Sequence, residues 1–210
     1  MKNRTGAQIL VDQLVIQGTE RIFTVPGESF LSVLDALHDC GTIQTVATRQ
    51  DGSAAFMAEA DGKMTGAPGI AFVTRGPGAT NASIGVHTAM QDSTPMILFI
   101  GDVARDDRDR EGFQEVDFTA MFTPLAKWTA RIDNAARIRP KVIAPAQPLC
   151  PDAMTTLTDM LRDATDPIAI VGGAGWSDKA KHYFAQYAER IGLPVAVAFR
   201  RQDNFPNESP

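Results

Sequence analysis

An acid heads a run of small residues in "DGSAAFMAEADGKMTG", Asp51 to Gly66. Two kinds of work suit a carboxylate there. Asp51 can cap the free N–H groups of a helix and favour its dipole. It can also face a cleft, because Gly52, Ser53, Ala54 and Ala55 leave room for a flat ligand beside it. Small residues equally let two helices pack closely, so local pattern leaves both readings open. A second candidate is "RGPGATN", Arg75 to Asn81, a Gly-rich turn that is neither a Walker A loop nor a GxGxxG fingerprint. A third is "VGGAG", Val171 to Gly175, where a strand-to-helix turn could seat a pyrophosphate on a helix N-terminus. A lone match of that kind is a weak signal. His38, His87 and His182 sit in helical context without a visible partner, and no role is assigned to them.

These groups need elements to hold them. Ala7, Leu10, Val11 and Leu14 make a helical stripe that stops at Gly18. "RIFTV" is strand-like and is closed by Pro26-Gly27. "SFLSVLDALHD" puts Phe30, Val33, Leu34 and Leu37 on one helix face, with Ser29 as the expected cap. The strand-like "IQTVAT", the Asp51 helix, the strand-like "GIAFVT" and a small-residue helix from Ala79 to Gln91 follow. "PMILFIG" is a continuous apolar run, as expected for a strand covered on both faces. The alternation predicts right-handed crossovers and a doubly wound, mainly parallel α/β sheet flanked by helices. Ligands of such sheets bind outside the carboxyl ends of the strands. The turns "VPGES", "TRQDG", "TRGPGATN" and "GDVARD" all fall there, so they should share one edge of the sheet.

The bulk properties narrow the partners. With 210 residues, 44% of them hydrophobic, the chain can build one substantial core, or one core and part of another. A net charge of −5 leaves no electrostatic footprint for nucleic acid. No apolar run approaches a membrane span, and "MKNRTGAQIL" lacks a signal-peptide core, so no membrane partner is expected. Cys40 and Cys150 form no metal spacing and no disulfide framework, which fits a reducing, cytoplasmic location.

The composition shifts in "RPKVIAPAQPLCP", four prolines without periodicity, so residues 139–151 are expected to be a linker. Residues 1–138 then form the first domain, and residues 152–210 begin a second, truncated α/β unit. The end, "RRQDNFPNESP", reads as polar loop.

Four segments carry a resemblance: "FTVPGESFLSVLDAL", "RQDGSAAFMAEADGKMTG", "GIAFVTRGPGATNASIGVHTAMQDSTPMILFIGDV" and "GFQEVDFTAMFTPLAKW". In that order they resemble the N-terminal, pyrimidine-binding domain of thiamine-diphosphate enzymes, closest to the acetolactate synthase large-subunit group. The likeness runs from Thr5 to Ile138, and the tail from Pro167 resembles the start of the family's central domain. It implies the thiamine-diphosphate-binding fold and decarboxylation or carboligation of a 2-oxo acid such as pyruvate. In the family an acid hydrogen-bonds the pyrimidine nitrogen remote from the thiazolium. That bond favours the imino tautomer of the exocyclic amine, which then deprotonates the thiazolium carbon. The cofactor is the electron sink and the protein orients it.

The resemblance places the site residues one by one. Asp51 takes the position of the activating acid. The family usually has Arg-His-Glu; this chain has Arg49-Gln50-Asp51. Asp keeps the charge but loses a methylene, about 1.5 Å of reach, and Gln50 replaces an imidazole. Pro26, Gly27 and Glu28 match the loop on the substrate side of the cleft. Gly76, Pro77, Gly78 and Asn81 match the turn against the pyrimidine ring. Phe113 and Gln114 match "FQE", which faces the active site in the synthase subgroup, with Gln114 joining Asp51 as a catalytic residue. Lys127 matches a lysine near the substrate or flavin entrance. "GGAG" falls where flavin-containing members bind FAD, so FAD is an option beside thiamine diphosphate.

Two absences shape the expectation. The family's pyrimidine domain ends with a further helix and strand. Here "DNAARI" runs straight into "RPKVIAPAQP", as if a few dozen residues were missing, so one sheet edge should be incomplete or filled by another segment. The family's Gly-Asp-Gly…Asn motif for Mg²⁺ and the diphosphate lies in a C-terminal domain that this sequence lacks. Because the family's active site forms between subunits, a homodimer or tetramer, or a partner chain with the diphosphate domain, is expected. The chain alone should be inactive. Two rivals stand beside this reading. One is a non-catalytic binding or assembly module; the other is a dinucleotide binder using "VGGAG", which lacks a complete GxGxxG.

Overall fold

The structure, a computed structural model, describes residues 4–138, 150–173 and 176–206. Two compact units divide the chain, Met1–Lys141 and Val142–Pro210.

The first unit runs α1 (Gly6–Ile16), β1 (Arg21–Thr24), α2 (Leu31–Cys40), β2 (Gln44–Ala47), α3 (Asp51–Thr65), β3 (Gly69–Val73), α4 (Gly76–Asp92), β4 (Met96–Ile100) and α5 (Phe118–Phe122). Its four strands pair in parallel in the order β2-β1-β3-β4. Their carboxyl ends therefore share one edge, as the punctuation of the sequence requires. The chain steps from β1 to β2, then returns past β1 to β3 and β4. Strand order reverses between β1 and β3, and the crevice outside that point is where such sheets bind ligands.

Helices cover both faces, with different residues. On one face Ile22, Ile70 and Phe72 pack with Val11 and Leu14 of α1 and with Leu37 of α2. Phe72 also stacks on Phe99, with ring centroids 4.6 Å apart. On the other face Phe23 and Ala71 meet Ala54 and Ala58 of α3. Val73 meets Ala55 of α3 and Ala82 of α4. The small residues let α3 and α4 approach closely: a Cβ on Gly85 would lie 2.5 Å from the Cβ of Ala55.

Several local expectations are corrected. Ser29 caps no helix. It lies in a 3-10 turn, Glu28–Phe30, and its hydroxyl sits 2.9 Å from that of Thr74, tying the loop after β1 to the loop after β3. The helix after β3 begins at Gly76 rather than Ala79; Pro77 fits its first turn because an N–H there has no intrahelical partner. β4 is not covered on both faces. It ends the sheet, all its residues are at least partly exposed, and Ile97 is 41% exposed.

The second unit holds α6 (Pro151–Asp163), β5 (Ala169–Val171), α7 (Asp178–Ile191) and β6 (Val195–Val197), with β5 and β6 paired in parallel. The end expected as loop carries a 3-10 helix, Phe199–Asn204. Residues 139–149 of the expected linker, and Ala174 and Gly175 of "VGGAG", lie outside the described residues.

Candidate active site

The helix that Asp51 opens is capped by its neighbour. Gln50 occupies the N-cap in an extended conformation, and its side-chain oxygen accepts the Ser53 N–H at 2.9 Å. Asp51 is the first helical residue. It is 8% exposed, and its Oδ1 is buried with no hydrogen-bond partner among the described residues. Gln50 rather than Asp51 therefore accepts the free N–H, while Asp51, as the acid of the first turn, still favours the helix dipole. A buried polar atom left without a partner is destabilising by about 1–3 kcal/mol, and more for a charged group. Such an atom points to a donor that arrives with a ligand.

What surrounds that oxygen is small and apolar. A Cβ on Gly78 would lie 3.1 Å from Asp51 Oδ1, 3.1 Å from Thr74 Cγ2 and 3.4 Å from Val73 Cβ. Glycine at 78 thus keeps the space before the carboxylate clear, in the first turn of α4. On the other side of Asp51, a Cβ on Gly52 would lie 3.0 Å from the Asn81 carbonyl oxygen.

The same turn of α4 holds a second group of residues. The Gly76 N–H donates to the Gln114 carbonyl at 2.9 Å, and a Cβ on Gly76 would collide with that carbonyl. Gln114 sits at φ 63°, and Asp109 and Glu111 at 59° and 56°, a concentration of left-handed non-glycine residues in one loop. Glu115 staples the loop: its carboxylate accepts the Asp109 N–H at 2.8 Å and the Gly112 N–H at 3.0 Å. Those two bonds hold its carboxyl below the ordinary carboxylate range. Beside Gln114, the Phe113 ring lies 5.7 Å from the guanidinium carbon of Arg75, and Arg75 pairs with Glu28.

The structure thus brings the expected residues together unevenly. Asp51 and Gly78 meet directly, and Gly76 and Gln114 meet at the same helix turn. Gly27, Glu28 and Phe113 join them through Thr74 and Arg75. Pro26, Pro77 and Asn81 are exposed around this edge. Lys127 is exposed in the segment after α5. Sequence reasoning missed the cap at Gln50, the Ser29–Thr74 tie and the Glu28–Arg75–Phe113 group. Only Arg75, directly before Gly-Pro-Gly, offered a local signal.

Among the described residues no cluster of three or more His, Cys, Asp or Glu side chains could hold a metal ion. None of their helices is long and apolar enough to cross a membrane.

The sequence profile described as "Thiamine pyrophosphate enzyme, N-terminal TPP binding domain" matches residues 4–121, more than half of the chain. Acetolactate synthase of Bacillus subtilis is 40% identical over 138 residues, 66% of this chain and 24% of that protein. The acetolactate synthase isozyme 3 large subunit of Escherichia coli is 36% identical over 146 residues, 70% of this chain and 25% of that protein. The acetolactate synthase large subunit of Haemophilus influenzae is 27% identical over 249 residues, 99% of this chain and 44% of that protein. The chain spans less than half the length of these curated relatives. The last alignment is longer than the 210-residue chain, so that relative carries residues at places where this chain has none. An orphaned acid at the head of α3, a glycine-cleared space before it and a profile matched across this sheet converge: the chain belongs to the thiamine pyrophosphate enzyme family, through its N-terminal TPP binding domain.

Proposed function

We propose that the first unit is the pyrimidine-side half of a thiamine-diphosphate site in an acetolactate-synthase-like enzyme acting on 2-oxo acids. The observation that carries this reading is Asp51 Oδ1, buried and without a partner beside Gly78. The fit is chemical. A carboxylate oxygen in an apolar slot suits a ring nitrogen bearing a proton, and the bond is strong where water is excluded. When bound, the cofactor supplies the electron sink for loss of carbon dioxide from a 2-oxo acid.

The chain's own residues orient and shelter. Asp51 would hold a proton at the ring nitrogen. Gly76 and Gly78 would let the backbone of α4 come close to the ring, and Asn81 and Pro77 would flank it. The loop of Phe113 and Gln114, clamped on Gly76, would border the substrate side together with Pro26, Gly27 and Glu28. Lys127 would stand at the entrance. Gln50 takes no part in proton transfer in this reading; it fixes the first turn of α3 and so the height of Asp51.

The diphosphate and its Mg²⁺ would be held by a separate domain, from chain beyond these 210 residues, a second subunit or a partner chain. FAD is proposed only at the turn after β5, where Gly172 and Gly173 follow the strand. A cytoplasmic location is proposed from the unpaired cysteines.

Reconstitution tests the reading. The 210-residue chain alone should release no carbon dioxide from pyruvate with thiamine diphosphate and Mg²⁺. Supplied with a diphosphate domain, it should do so. Turnover by the chain alone, or silence of the correctly assembled pair, would contradict the proposal.

A further inference from the structure

A pocket of about 300 Å³ opens beside the candidate site, lined by Arg75, Val103, Asp107, Arg110 and Phe113. Its features are those of an anion subsite. The Arg75 side chain is only 13% exposed, yet its Nε is buried without a hydrogen-bond partner among the described residues. Its Nη2 is engaged by Glu28, a side chain that is itself 69% exposed. A guanidinium presents its donors as a planar fork that matches a carboxylate with two parallel bonds. Here Nη2 is engaged by an exposed carboxylate, while the adjacent Nε is buried and makes no hydrogen bond among the described residues. Phe113 is 72% exposed, with the guanidinium carbon of Arg75 5.7 Å from its ring. The Arg110 side chain, on the same wall, donates to the Asp106 carbonyl at 3.3 Å.

We propose that this pocket recognises a small carboxylate, and that Glu28 stands on Arg75 as an internal competitor which the ligand's carboxylate exchanges with. Glu28 returns to solvent at small cost because most of its side chain is already exposed. The entering carboxylate meets Arg75 with both oxygens, with Arg110 nearby and Phe113 closing one side. Asp107 on the wall disfavours more highly charged anions, so a monoanion fits better than phosphate. The inference rests on the proposed function for the class of ligand alone, a 2-oxo acid.

The test uses the full chain labelled with ¹⁵N and follows the Arg75 Nε–H resonance without thiamine diphosphate, so its outcome is independent of Asp51. Pyruvate and propionate should each shift the resonance saturably, while pyruvamide, which lacks the charge, should not. Arg110→Gln should weaken pyruvate binding severalfold and Glu28→Gln should tighten it severalfold. Arg75→Gln, followed through the Arg110 Nε–H, should weaken it roughly tenfold or more. An equal response to pyruvamide, tighter binding of inorganic phosphate than of either carboxylate, or a Glu28→Gln chain that binds no tighter would each overturn the proposal. Glu28→Gln and Arg110→Gln keep the test decisive if Arg75→Gln disturbs the start of α4.

Discussion

The two faces of the first sheet are built from different materials. Under α1 and α2 the sheet presents Ile22, Ile70 and Phe72, large side chains that fill a conventional core. Under α3 and α4 it presents Phe23, Ala71 and Val73, and the helices meet it with alanines, Ala54, Ala55, Ala58 and Ala82. The first face is met by large apolar side chains of the helices, Val11, Leu14 and Leu37, and stabilisation scales with the apolar area buried. The second gives up that area for proximity. Alanine and glycine bring α3 and α4 so close that Asp51, at the head of one, nearly touches Gly78 in the first turn of the other. One face stabilises the fold, and the other sets a distance of a few ångströms between a carboxylate and a helix turn.

Substitutions should separate the two roles. The largest loss of stability is expected on the bulky face. Phe72→Ala, at a residue 2% exposed, should destabilise by about 3–5 kcal/mol. Urea unfolding would show it, and the molecules that remain folded should keep their affinity for thiamine diphosphate in the assembled enzyme. Gly85→Ala should be milder in stability, about 1–3 kcal/mol by overpacking. Its effect on cofactor affinity should exceed that of Phe72→Ala, because it pushes α4 away from Ala55 and so Gly78 away from Asp51. If the two variants lost affinity in proportion to stability alone, the division between faces would be wrong. Gln50→Ala, which removes the α3 cap, should cost about 1 kcal/mol. The smallest effect is a pH dependence in the loop beside α4. The folded state holds Glu115 below its ordinary range, so its contribution is present above the unfolded value and is lost as pH falls through the folded one. Exchange of the Asp109 and Gly112 amide hydrogens, corrected for intrinsic rate, should quicken over that acidic window and be insensitive to pH near neutrality.

Much of this was legible in the chain. The strands and their shared edge followed from period and punctuation, since alternating strands and helices imply a parallel sheet, and Pro-Gly, Gln-Asp-Gly and Gly-Pro-Gly each fall at a strand's carboxyl end. The position of Asp51 was legible too, but not its freedom. Gln is not a favoured cap, so nothing local assigned that task to Gln50 and released the acid. The Arg75–Glu28 pair joins residues 47 apart in sequence, and such pairs exist only once β1 and β3 lie side by side. "PMILFI" read as a buried strand because apolar continuity does not say whether a further strand will arrive. In the fold it is an edge, with Ile97 exposed.

The central claim is that the buried oxygen of Asp51 waits for a ligand rather than capping the helix. It is tested most directly by Asp51→Ala in the enzyme assembled with its diphosphate domain, with thiamine diphosphate binding followed by calorimetry and turnover by carbon dioxide release. The expected result is a loss of turnover on the order of 10²–10⁴-fold, with stability unchanged or raised, because the cap at Gln50 is kept and the unpartnered buried oxygen is gone. Full activity in Asp51→Ala, or a loss explained entirely by unfolding, would contradict it.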